Sequence, residues 1–118
     1  MKRFLKIILM LLGIGVIFIV AFPMVTSYAD SETRKDLLGM VARELPRDAS
    51  MAEMAQFMQR HTTTYGLDQD PRLEYGGFVP HTALDGFLGD RKVKIVLIVN
   101  RNTKTFQRAE IQIFYTGP

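Results

Sequence analysis

The chain has 118 residues, no cysteine and no tryptophan, and a formal charge of +3. The missing cysteine excludes disulfides, thiolate metal sites, a cysteine nucleophile and the acylated cysteine of a bacterial lipoprotein. Lys2, Arg3 and Lys6 account for the whole net charge. From residue 27 onward twelve Lys and Arg balance twelve Asp and Glu, so there is no clustered basic excess to serve nucleic acid as a partner.

Behind the basic cluster, Ile7 to Phe22 is an unbroken run of sixteen apolar residues. With Lys6 snorkelling, the segment at residues 4–25 falls within the roughly 17 to 25 residues that a spanning helix takes. Its Ile, Val, Leu and Phe content favours insertion. The expectation is a single-pass membrane anchor through residues 4–25, with a cytoplasmic N-terminus and an extracytoplasmic C-terminal domain. The alternative is a signal peptide: Pro23 would break the helix, Ser27-Tyr28-Ala29 is a small-x-small pattern, and cleavage after Ala29 would release a periplasmic or secreted domain. On both readings residues 1–29 are the anchor or signal peptide and residues 30–118 one small extracytoplasmic domain.

In residues 31–45, Leu37, Leu38, Val41 and Leu45 recur at spacings of three and four, which predicts an amphipathic helix ended by Pro46. A second helix is predicted from Ser50, because Ser50 and Glu53 make an S-x-x-E capping box. Met51, Met54, Ala55, Phe57 and Met58 form its buried stripe. It should fray after His61, where three threonines have poor helix propensity and Gly66 offers a stop. Residues 66–72 then read as a loop.

The period next changes from near 3.6 to 2. Leu73 to Val79 is predicted as a first strand, weakened by Gly76 and Gly77, and residues 80–91 as a loop. Val93, Ile95, Leu97 and Val99 alternate with Lys92, Lys94, Val96 and Ile98, which predicts a second strand. A turn at Asn100 to Lys104 leads to a third, with Ala109, Ile111, Ile113 and Tyr115 on one face. The core register should set the odd-numbered residues 93–99 beside Ala109, Ile111 and Ile113, since a slip of one residue would turn every core side chain outward. The expected fold is α+β: an N-terminal membrane helix, then two helices packed on a three-stranded antiparallel sheet.

Few residues carry chemistry. His61 and His81 lie twenty apart without a neighbouring ligand, which falls short of metal-site spacing. Asp68, Asp70 and Glu74 resemble the opening of a calcium loop, but Arg72 and Leu73 stand where a further ligand and the turn glycine belong. Of the serines, Ser50 is accounted for as a cap, and Gly76, Gly77, Gly86 and Gly89 lack the strand and helix context of a phosphate cradle. No cofactor, metal or catalytic group is expected.

The most informative surface is the second face of the hairpin, where Val96, Ile98 and Phe114, joined by Phe78, would form an apolar patch among Lys94, Arg108 and Glu110. Such patches mark protein or membrane contacts; the competing account is cover by residues 80–91, with Phe87 and Leu88 on top. The outer strands also offer free edges to an extended partner.

The helix-helix-three-strand order is similar, in architecture alone, to the small accessory lipoproteins of outer-membrane assembly. The resemblance matches no motif, and this chain lacks their cysteine. The leading expectation is a non-catalytic envelope protein whose exported domain binds another protein, itself or the membrane surface. The alternatives are an exported hydrolase-like enzyme with carboxylates or His61 and His81 in its site, and a carrier holding a small apolar ligand between the second helix, with its methionines, and the sheet.

Overall fold

The computed structural model describes residues 2–82, 85 and 90–115, with the side chains of residues 15–23 left out. The chain divides into two compact units, Met1–Glu32 and Thr33–Pro118. Helix α1 (Lys2–Glu44) contributes to both. It is followed by α2 (Met51–His61) and strands β1 (Thr64–Asp68), β2 (Glu74–Phe78), β3 (Arg91–Val99) and β4 (Phe106–Tyr115).

The first unit differs from expectation. Its backbone stays helical through Pro23 and through Ser27-Tyr28-Ala29, so neither a break at the proline nor support for a signal peptide is found there. Among the described residues no helix is long and apolar enough to cross a membrane. This finding overturns the single-pass anchor through residues 4–25 and the extracytoplasmic placement that followed from it. The apolar stretch with described side chains, residues 4–14, spans about 16 Å of helix, against a hydrocarbon core of about 30 Å. The middle of the expected span, residues 15–23, lies outside the described side chains.

The second unit is α+β, but its antiparallel sheet has four strands in the order β1-β2-β3-β4 where three were expected. The additional strand is β1, in a stretch read as helix end and loop. All five of its residues are exposed, so no alternation of apolar and polar side chains betrayed it. The two helices on the sheet correspond to the end of α1, stopped by Pro46, and to α2. In α2 the Ser50 side chain accepts from Glu53 N–H and the Glu53 carboxylate from Ser50 N–H, each at 3.2 Å. Ser50→Ala should therefore lower stability by about 1 kcal/mol, read as a lower urea midpoint of tyrosine fluorescence, the chain having no tryptophan.

One sheet face carries the core. Val41 and Leu45 of α1 and Met54, Phe57 and Met58 of α2 pack with Tyr75, Val93, Ile95, Leu97, Val99 and Ile111. The register sets Val93 opposite Ile113, Ile95 opposite Ile111 and Leu97 opposite Ala109, as the alternation requires. Burying these side chains contributes roughly 1.5–3 kcal/mol apiece before entropy is set against it.

Candidate interaction surface

The other face of the sheet is built from residues that the register places side by side. From β1 to β4 one row is Thr64, Phe78, Lys94 and Gln112, the next Gly66, Gly76, Val96 and Glu110, and the last Asp68, Glu74, Ile98 and Arg108. Lys92 and Phe114 pair beyond the first row. The four residues expected to form an apolar patch, Val96, Ile98, Phe114 and Phe78, therefore share this face, but not one degree of exposure. Val96 and Ile98 are 1% and 5% exposed, while Phe78 and Phe114 are 38% and 44% exposed.

The difference follows from the charges. Around Val96 and Ile98, Arg72 reaches Glu74 at 3.0 Å and Glu110 at 3.4 Å, and Arg108 reaches Glu110 at 3.3 Å. Glu74 and Arg108 are the register neighbours of Ile98, and Glu110 that of Val96, so these ion pairs flank the two aliphatic residues on the same face. Glu110 and Glu74 hold the Arg72 guanidinium above its ordinary pKa, with the hydrogen bond to Glu110 the largest cause. Phe87 and Leu88, the cover weighed from sequence, lie outside the described residues.

At the opposite end of the face the aromatic pair stays open. The rings of Phe78 on β2 and Phe114 on β4 meet across β3 with centroids 6.5 Å apart. Lys94 Nζ stands 6.0 Å from the Phe78 ring centroid, within cation-π range. Gly76 lets this happen: a Cβ there would lie 2.7 Å from Lys94 Cε, so the lysine stem crosses the space that the glycine leaves empty. Among the described residues neither Lys92 nor Lys94 takes part in an ion pair. Beside Phe78 opens a cavity of about 250 Å³ lined by Thr63, Thr64, Pro80, His81 and Lys92 among others.

The two histidines serve different places. His61 Nε2 hydrogen-bonds Glu44 Oε1 at 3.0 Å, with Oε2 at 2.8 Å, and its ring packs at a tilt on Phe57, centroids 4.7 Å apart. This hydrogen bond holds the Glu44 carboxyl below its ordinary pKa. His81 is exposed and lines the cavity beside Phe78. Among the described residues there is no group of three potential metal ligands.

A second cluster escaped the sequence reading altogether. Arg91, at the start of β3 and fully buried, donates from Nη2 to Thr33 Oγ1 of α1 at 2.5 Å and lies with Nη1 3.5 Å from Asp85 Oδ1. Asp85 is itself fixed by Thr82, whose N–H and hydroxyl donate to its Oδ2 at 2.9 and 3.1 Å. Arg91 thus ties the connection between β2 and β3 to the helix and sheet. Its only sequence signal is a cation on the face that should be apolar.

No protein-family model matches this chain, and no curated protein or solved structure does either.

Proposed function

We propose that the unit Thr33–Pro118 is a non-catalytic binding module that holds an acidic protein segment against the lysine and aromatic end of its outer sheet face. The observation that carries this reading is the contrast along that face. One end is closed by Arg72, Glu74, Arg108 and Glu110, whereas the other presents two contacting phenylalanine rings beside two lysines that make no ion pair among the described residues. Exposed aromatic residues that gain from desolvation are where binding energy concentrates, and cations beside them select a partner of opposite charge.

A protein segment fits better than a lipid surface. Recognition of anionic lipid by a basic cluster takes about four to eight Lys or Arg, and this end of the face offers two, of which Lys92 lines the cavity beside Phe78. A partner's aromatic or aliphatic side chain would cover Phe78 and Phe114, and its carboxylate would meet Lys92 and Lys94, with the Thr63 and Thr64 hydroxyls beside them.

Selection of random peptides on the full chain tests this. Enriched sequences should combine Asp or Glu with a large apolar residue, and both Lys94→Glu and Phe114→Ser should weaken their binding at least roughly tenfold without shifting the urea midpoint. Enrichment of sequences without acids, or binding indifferent to both substitutions, contradicts the proposal.

A further inference from the structure

The two edges of the sheet are finished differently. On β4 the first residues are covered by the chain itself, since Phe106 N–H bonds the Ala49 carbonyl at 2.9 Å and Ser50 bridges Thr105. On β1 nothing of the kind is found among the described residues: Thr64-Tyr65-Gly66-Leu67-Asp68 is exposed throughout. It carries no lysine and no proline, and its one charged side chain is Asp68 at its end. Tyr65 and Leu67, on the face that the helices cover elsewhere, are 42% and 38% exposed.

The direction of its backbone groups follows from the ladder. The Phe78 carbonyl accepts from Thr63 N–H at 3.0 Å, and Val79 N–H bonds Val93 on the other side. Even-numbered residues of β2 therefore address β1, and their register partners Thr64, Gly66 and Asp68 address β2. The N–H and C=O groups of Tyr65 and Leu67 point to the free edge.

We propose that β1 pairs antiparallel with β1 of a second copy of this chain, about a two-fold axis at Gly66, joining two four-stranded sheets into one of eight strands. The five-residue sequence is complementary to itself about its centre. Tyr65 of one copy falls opposite Leu67 of the other, and these are the residues whose backbone groups are free, so the pair of strands gains four hydrogen bonds and covers its exposed apolar side chains. Thr64 falls opposite Asp68, a hydroxyl donor against a carboxylate. Gly66 meets its own counterpart at a non-hydrogen-bonded position, where antiparallel strands approach most closely, at about 4.5 Å between Cα atoms.

Within one copy Gly66 has no evident purpose. It has no positive φ, and a Cβ there would meet nothing within 4 Å, yet glycine inside a strand weakens it. At a non-hydrogen-bonded pair on the two-fold axis the open space beside Gly66 faces the same space in the second copy, so small side chains placed there meet each other. The contact is isologous, as two-fold dimers require. It is also small beside the roughly 1,200–2,000 Å² of a standard interface, so association is concentration-dependent. This inference does not rest on the lysine and aromatic site, whose Phe78, Lys92, Lys94 and Phe114 lie on β2, β3 and β4.

The absence of cysteine makes a register test direct on the full chain. Under mild oxidation Gly66→Cys should crosslink copy to copy roughly tenfold or more faster than Thr103→Cys in the exposed β3–β4 turn, because pairing raises the local thiol concentration. Thr64→Cys mixed with Asp68→Cys should crosslink, whereas each alone should not. Leu67→Pro, which removes an outward-facing N–H, should abolish crosslinking through Gly66→Cys. Association through another part of the chain would not distinguish positions 64, 66 and 68 in this way. Equal rates for Gly66→Cys and Thr103→Cys, or a mixture no faster than its components, overturns the proposal.

Discussion

Arg91→Ala should destabilise the unit Thr33–Pro118 by about 3–5 kcal/mol, the loss found when one member of a buried ion pair is removed. The side chain is buried and spans from Thr33 on α1 to Asp85 in the β2–β3 connection. Its deletion leaves a cavity and an Asp85 carboxylate that keeps its Thr82 donors but loses its cation. Arg91→Met combined with Asp85→Asn removes both charges while retaining most of the volume. Buried ion pairs replaced by apolar groups of similar size often cost little, so the double variant should recover more than half of the loss. Urea midpoints followed by tyrosine fluorescence decide this. An Arg91→Ala loss under about 1 kcal/mol would show that the clamp contributes little.

Gly77→Ala should cost about 1–3 kcal/mol, the range for forcing extra volume into a packed site. A Cβ at Gly77 would lie 2.8 Å from Thr62 Oγ1, 2.8 Å from the Thr64 carbonyl oxygen and 2.9 Å from Tyr65 Cβ. None of these can yield cheaply: one is backbone, one is the root of a side chain, and the Thr62 hydroxyl is bonded to the Met58 carbonyl at 2.5 Å. The adjacent glycine makes the control. At Gly76 the obstruction is Lys94 Cε, near the end of a flexible chain, so Gly76→Ala should stay within about 1 kcal/mol of the parent while moving the lysine off Phe78. Equal midpoints for the two variants would contradict this account of the β1–β2 contact.

These two sites mark the limits of what the sequence discloses. The β3–β4 pairing was legible because one strand face is buried and the other partly polar, so alternation in Val93 to Val99 and Ala109 to Ile113 fixes the register. The start of α2 was legible because the Ser50 and Glu53 bonds are local. What was missed depends on contacts distant in sequence. β1 has no buried face to leave a pattern; Arg91 meets Thr33 and Asp85 only once the chain is folded; Val96 and Ile98, read either as an open patch or as one covered by residues 80–91, lie beside Glu110 and Glu74, which Arg72 joins across 38 residues of chain. The apolar run after Lys6 led to a membrane span that the described residues do not support. Of the expected patch, what remains open to solvent is the aromatic pair, together with the lysines beside it.

A photocrosslinking amino acid at position 114, introduced into the full chain in its native cells, tests the central claim most directly. We predict one protein adduct of discrete mass at 114, absent from a probe at position 107 and lost when Lys94→Glu is added to the same chain. An adduct at 114 that persists unchanged in the Lys94→Glu background, or equal adducts at 107 and 114, would contradict it.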